Sequence, residues 1–92
     1  MINYISGNEY TGQNAIALAM AGYDEDDAFV TFKQAITLPG MTGAKMKGIK
    51  QAARLVRFNN KVLEENAEGK LAPKPIWFSV FDVSEVLKRA AA

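Results

Sequence analysis

The sequence predicts a small α+β domain, and three local patterns carry this prediction. The first is an apolar segment with helix signals at both ends, residues 11–22. The second is a short strand, residues 28–30, that runs directly into a capped helix. The third is an aromatic and β-branched run, residues 76–83, which is typical of a strand. A chain of 92 residues has the length of a single domain, so we assign residues 1–92 to one unit.

The first helix is predicted over the segment TGQNAIALAMAG. Thr11 can cap its start through the hydroxyl oxygen, and Gly22 suits the left-handed residue just past its end. Ile16, Met20 and Tyr23 recur at helical spacing. We therefore expect these three side chains to face the core.

The second helix carries the clearest local signature. Thr31 and Gln34 have the T-x-x-Q spacing of a capping box, in which each side chain satisfies the free backbone N–H of the other residue. Val30 and Ala35 occupy the two positions of a hydrophobic staple. Pro39–Gly40 then ends this segment. The pattern predicts a strand leading into a short capped helix.

The segment at residues 49–64 is ambiguous by periodicity. Apolar side chains fit one face of a helix, but residues 54–58, RLVRF, also alternate as a strand does. A polar turn with Gly69 at its tip follows, and then the aromatic strand. Ser84 is a candidate cap for a short closing helix.

Composition excludes several classes of chemistry. The chain has no cysteine and no histidine, so disulfides, thiolate nucleophiles and the commonest metal ligands are missing. No apolar run approaches the ~18–20 residues of a membrane span, and the N-terminus lacks the pattern of a signal peptide. We expect a cytoplasmic, non-enzymatic protein without a metal, a cofactor or a membrane partner.

Positive charge is concentrated in one part of the chain. Formal net charge is only +1, from 11 basic and 10 acidic residues. Residues 28–63 nevertheless hold seven basic residues and no acidic one, so the remaining residues hold four basic and ten acidic ones. The seven are Lys33, Lys45, Lys47, Lys50, Arg54, Arg57 and Lys61. Such a segment is an electrostatic footprint for phosphate, although a solvated face with no ligand is the plain alternative.

Three short blocks give the sequence a family resemblance. They read YTGQN at residues 10–14, TFKQA at residues 31–35 and FSVFDV at residues 78–83. In this order and spacing, the blocks are similar to Y-x-G-x-N, T-F-K-Q-A and Y-x-V-F-N-V of the N-terminal domain of ArdC-type antirestriction proteins. Residues 47–50, KGIK, are similar to the K-G-E-K of that family, with Ile49 in place of the acid. Asp82 and Glu85 stand where the family has Asn and Gln.

The resemblance covers about residues 8–86 and implies a fold and a function. It implies that residues ~53–62 and ~74–82 form a long hairpin, giving a small antiparallel sheet with two to three helices packed on one face. It also implies a single-stranded-DNA-binding module of a mobile element, a phage or a plasmid. The metallopeptidase-like domain that usually follows in that family is not in this sequence.

The sequence thus predicts a single-stranded nucleic-acid site, with the choice between DNA and RNA left open. Phosphate contacts are expected from Lys45, Lys47, Lys50, Arg54 and Arg57, with Lys33 assisting. Asn14 can bond a base edge, and exposed rings can stack bases. The candidate rings are Tyr10, Phe32, Phe58, Trp77 and Phe78. The alternative function is a small phage or plasmid protein that binds and inhibits a host defence protein, with the acidic run Asp24–Asp27 meeting a basic partner.

Overall fold

The computed structural model describes all of residues 1–92, and it has the α+β fold that the sequence predicts. The elements are β1 (Ile2–Asn3), α1 (Gly12–Met20), β2 (Ala28–Thr31), α2 (Phe32–Ala35), a 3₁₀ turn (Ala44–Met46), β3 (Ala53–Glu65), β4 (Leu71–Asp82) and α3 (Val83–Ala91). The four strands form one sheet in the order β1-β2-β4-β3. β1 pairs in parallel with β2, so the sheet is mixed, whereas the other pairs are antiparallel.

β3 and β4 form the long hairpin that the family resemblance implies. Their pairing runs from Ala53 opposite Val80 to Glu65 opposite Leu71, with a register shift between Asn59 and Leu63. The strands are longer than expected by three residues each at the turn, and the helical alternative for residues 49–64 is excluded. Aromatic and β-branched residues on both strands favour this pairing.

α2 and α3 pack on one face of the sheet, in agreement with the two to three helices on one face that the resemblance implies, and α1 packs on the opposite face. Phe29 and Val30 are adjacent on β2, so their side chains point to opposite faces. Phe29 packs in a cluster with Leu18 of α1, and Val30 packs in another with Ala35 of α2 and Val86 of α3. Each face of β2 is therefore buried, which explains why all of Phe29 and Val30 is inaccessible to water.

The orientation of α1 differs from the prediction. Tyr23 packs against Phe29 as predicted, but Ile16 and Met20 are exposed, and Leu18 is the buried residue of this helix. The amide of Asn14 explains the difference, because it accepts from the backbone N–H of Val56 at 3.0 Å and donates to the Val56 carbonyl at 2.9 Å. These two bonds pair the helix with the outer edge of β3 and so fix which side turns inward. Thr11 occupies the cap position, but its side chain makes no capping bond.

The capping box at α2 is confirmed and is part of a larger network. The Gln34 N–H donates to Thr31 Oγ1 at 3.3 Å, and the Thr31 N–H donates to Gln34 Oε1 at 3.0 Å. The staple residues Val30 and Ala35 are both buried in one cluster. The Gln34 amide also pairs with the amide of Asn3, a buried polar residue of β1. α2 is thereby tied to the N-terminal strand as well as to its own first turn.

α3 begins two residues before the predicted start, because its cap is Asp82 in place of Ser84. Asp82 is the capping residue, and its carboxylate accepts from the backbone N–H of Ser84 at 3.0 Å. Val83 and Val86 of this helix are buried against the sheet. No helix of the protein has the length and apolar character needed to cross a membrane.

The outer part of the hairpin, residues 57–79, projects from the body of the protein. None of these residues is buried, and every residue from 60 to 71 is exposed. The radius of gyration is 15.1 Å, against about 12 Å for a compact chain of this length. The longest dimension is 51 Å and the other two are 26 and 23 Å. We call residues 57–79 the arm.

Candidate nucleic-acid interface

A pocket of about 500 Å³ lies where β2 ends and the side of β4 becomes free. β2 pairs with β4 only as far as Thr31, opposite Val80, so β4 has no neighbour on that side along the arm. The pocket is lined by Thr31, Phe32, Lys33, Arg57, Phe78, Ser79 and Phe81. Two cationic side chains and three aromatic rings thus border one concavity.

Three of the five candidate rings are accessible to a ligand. Exposure is 45% for Phe32, 57% for Phe58 and 53% for Trp77. Phe78 is half-buried, and it packs against the cluster under α1 while also lining the pocket. Phe32 and Trp77 therefore offer apolar rings next to the basic residues.

Ser79 links the pocket to a second group of predicted residues. It lines the pocket, it stands opposite Arg54 in the β-ladder, and its hydroxyl donates to the side chain of Gln51 at 2.6 Å. The Arg54 guanidinium lies 6.0 Å from the centre of the Trp77 ring, which is within cation–π range. Lys50 directly precedes Gln51 in the chain. The pocket and the Arg54–Trp77 pair consequently form one continuous surface.

Five of the six predicted phosphate-binding residues have exposed side chains without an acidic partner. These are Lys33, Lys47, Lys50, Arg54 and Arg57. The one ion pair of the molecule joins Lys88 and Glu85 at 3.7 Å, away from this set. Cations that are not already neutralised retain their full attraction for a phosphate.

Lys45 has a structural contact in place of the predicted one. Its ammonium donates to the backbone oxygens of Gly40, Ala90 and Ala92 at 3.0, 3.4 and 3.3 Å. A cation in this position satisfies orphan carbonyls at the end of α3 and interacts favourably with the helix dipole. Three backbone acceptors occupy the three N–H donors, so we leave Lys45 out of the phosphate-binding set.

Arg89 of α3 fixes the backbone of the loop that carries Lys45 and Lys47, which we call the basic loop. Its guanidinium donates to the carbonyls of Lys45 and Lys47 at 3.2 and 2.7 Å. The loop also carries Met46, whose buried side chain packs in the cluster with Val86. The backbone that presents Lys47 is thus fixed at two points.

Tyr10 and Asn14, which the sequence also predicts to bind nucleic acid, contact other parts of the protein instead. The Asn14 amide bonds the Val56 backbone as described above, and Tyr10 is half-buried with its ring edge against Phe29. The Tyr10 hydroxyl accepts from the Asn3 amide at 3.2 Å. Burial raises the pKa of Tyr10 above its ordinary value, and the hydrogen bond from Asn3 opposes part of that rise. Neither residue presents a free platform or base-reading group.

Sequence reasoning missed three contributors to this surface. Ser79 and Phe81 line the pocket, and Arg89 supports the basic loop. Alternation along β4 places Ser79 and Phe81 on one face, but no local pattern indicates that the end of β2 lies opposite Val80 of β4. The Arg89 contacts span more than forty residues, so no spacing rule could have found them.

Comparison of the chain with protein-family models, curated proteins and solved structures gives no match.

Proposed function

We propose that this protein is a non-enzymatic module that binds single-stranded nucleic acid through the pocket and the adjoining basic surface. The observation that carries the proposal is the pocket itself, which is lined by Lys33, Arg57 and the rings of Phe32 and Phe78. A single strand presents phosphates and unstacked bases together, and its binding sites combine a positive groove with aromatic platforms.

Each part of the surface has a separate task in this proposal. Lys33, Arg57, Lys50 and Lys47 neutralise phosphates, and Arg54 does so beside the Trp77 ring. Phe32 and Trp77 stack bases, a contact worth ~1–3 kcal/mol per base. Phosphate contacts position a strand without reading its sequence, so binding is expected to be largely independent of base sequence.

The sequence motifs similar to ArdC-type N-terminal domains favour DNA as the ligand and a mobile element as the origin. The TFKQA block also contributes directly to the proposed site, because Thr31, Phe32 and Lys33 of that block all line the pocket. The other two blocks contribute to the fold. Asn14 of the first block bonds the Val56 backbone, and Val80 of the third is buried in the core.

The test is fluorescence anisotropy with labelled single-stranded and duplex oligonucleotides over a range of salt concentrations. Five phosphate contacts at roughly 0.7 each give a log–log slope of affinity against salt near −3.5 on single strands. Replacing Lys33 and Arg57 together with glutamine is expected to flatten that slope by about 1.4. The matched control replaces Lys70 and Lys88 with glutamine. Both lysines lie outside the proposed binding surface, so the slope of affinity against salt is expected to equal that of the wild type.

Two outcomes would contradict the proposal. One is the absence of binding to any oligonucleotide at low salt and high protein concentration. The other is an equal change of slope in the control variant, which would indicate diffuse attraction in place of a site. Either result would make the inhibitor of a host defence protein the function to pursue, with affinity capture on the intact chain.

A further inference from the structure

The arm carries an uncovered apolar stripe along one face. The β-ladder places Trp77 opposite Val56, which is buried at the inner end of the stripe, and then Pro75 opposite Phe58, Pro73 opposite Leu63 and Leu71 opposite Glu65. Successive partners on β4 are two residues apart, so all of them share a face. Exposure is 53% for Leu63 and 69% for Leu71, in addition to the open rings of Phe58 and Trp77. Soluble chains rarely leave such a row of large apolar side chains unpartnered.

The charges of the arm argue against nucleic acid as the partner of the outer stripe. Residues 59–75 hold three basic side chains, Lys61, Lys70 and Lys74, and three acidic ones, Glu64, Glu65 and Glu68. A segment without net charge has no general attraction for phosphate. We therefore expect the part of the stripe beyond Trp77 to contact a partner surface that is itself apolar and carries charges of both signs.

The edges of the arm argue against a partner that adds a strand. Pro73 and Pro75 lie on β4 along its free side, and proline has no N–H to donate to a new ladder. Lysines such as Lys61 and Lys74 on an outer strand also oppose edge-to-edge pairing. The face of the arm is thus the surface that remains for contact.

The stripe is complementary to itself under a two-fold rotation. Arg54 stands opposite Ser79 at its inner end, and Glu65 stands opposite Leu71 at its outer end. Pro75 lies four residues from both Ser79 and Leu71, so it marks the midpoint. A rotation axis at the midpoint brings Arg54 of one copy against the partner's Glu65, and the reverse, with apolar side chains between them. An isologous interface must be self-complementary, and opposite charges placed symmetrically about an apolar centre meet that condition.

We propose that this face is a dimer interface, in which the arms of two copies of this chain pack antiparallel. The shared length is about 27 Å, from eight residues at ~3.4 Å each, and the ribbon is only two strands wide. Such a surface is below the standard interface size, so the dimer forms reversibly at high protein concentration. Arg54 and Trp77 belong to both proposed surfaces, and nucleic acid therefore competes with the second copy for them.

Sedimentation velocity without nucleic acid tests the dimer independently of the proposed function. As concentration rises from about 10 µM to about 1 mM, we expect the mass to move from 10.1 kDa towards twice that value. Arg54→Glu and Glu65→Lys each place like charges at both ends of the interface, so each variant alone is expected to stay monomeric. Glu25→Lys, the same charge change in an exposed loop of the body, is the control and is expected to behave as the wild type.

An equimolar mixture of Arg54→Glu and Glu65→Lys restores opposite charges at both ends. We expect this mixture to form a mixed dimer at concentrations where each variant alone is monomeric. Circular dichroism of each variant confirms that the fold is kept. A wild-type mass of 10.1 kDa at every concentration would overturn the proposal. Dimers that persist in either single variant, or a mixture that stays monomeric, would overturn the antiparallel arrangement in the same way.

Discussion

Replacing Gln34 with alanine removes the side chain that joins the capping box to β1. Its Oε1 accepts from the Thr31 N–H at 3.0 Å and from the Asn3 amide at 2.8 Å. Its Nε2 donates to Asn3 Oδ1 at 3.2 Å. The change therefore deletes three hydrogen bonds, and two of them involve a residue that is only 8% exposed.

The loss in free energy of unfolding depends on which hydrogen bonds each former partner of Gln34 keeps. Asn3 Oδ1 keeps the backbone N–H groups of Ile5 and Ser6, and the Asn3 amide keeps the Tyr10 hydroxyl. The Thr31 N–H and one Asn3 N–H lose their acceptor. An unsatisfied buried donor costs ~1–3 kcal/mol, and Thr31 is only partly buried, so we expect a loss of about 2–3 kcal/mol. Thr31→Ala, which removes one cap bond, is expected to cost ~1 kcal/mol.

Urea unfolding monitored by circular dichroism measures both losses on one scale. We expect Gln34→Ala to lower the transition midpoint about twice as far as Thr31→Ala, with the m-value unchanged. The corresponding fall in Tm is about 10–20 °C for Gln34→Ala. Gln13→Ala, at an exposed glutamine of α1, is the control and is expected to stay within ~0.5 kcal/mol of the wild type. If Gln34→Ala costs no more than Thr31→Ala, the link between α2 and β1 contributes nothing and the reasoning is wrong.

Three further predictions concern the predicted site residues. Trp77→Ala is expected to cost ~1–2 kcal/mol of stability, because a cation–π contact and the packing of a half-exposed ring are lost, but to weaken oligonucleotide binding by ~1–3 kcal/mol in anisotropy; a loss of ~3–5 kcal/mol, typical of a core Trp, would make this ring core. Lys45→Gln is expected to lower stability by ~0.5–1 kcal/mol through the end of α3 and to leave the salt dependence of binding unchanged; a flatter slope would return Lys45 to the phosphate set. Since burial raises the pKa of Tyr10, the folded state holds the phenol proton longer than the unfolded state. Stability from this group is full below the unfolded pKa near 10 and is lost as pH rises through the folded pKa, so Tyr10→Phe is expected to reduce the alkaline loss in unfolding titrations; an unchanged alkaline loss would contradict this reasoning.

Part of the candidate site could be read from the sequence because exposure follows from local pattern. Lys47 and Lys50 lie in a polar loop, and Arg54 alternates with Leu55 on a strand, so one points outward where the other is buried. Trp77 alternates in the same way with Ile76 and Phe78. Periodicity alone does not predict the hairpin, and its prediction rests on the family resemblance.

The contacts that removed Lys45, Asn14 and Tyr10 from the binding set have no local signal. Lys45 bonds α3 across more than forty residues, and Asn14 bonds β3 across a similar separation. A lysine in a loop and an asparagine on a helix present the same sequence pattern whether they face water, a ligand or a distant backbone. Only the tertiary fold shows which of these surroundings each of the three side chains has.

Features that depend on a few neighbouring residues can be predicted from the sequence alone. The Thr31–Gln34 box, the strand before it, the left-handed Gly22 and the aromatic strand all follow from side chains acting on their own backbone. Tertiary packing sets which face of α1 turns inward, where the end of β2 lies beside β4, and how the pocket and the stripe are formed. These depend on strand order and on long-range hydrogen bonds, because a side chain's neighbours in space are set by the packing of whole elements and not by its neighbours in sequence.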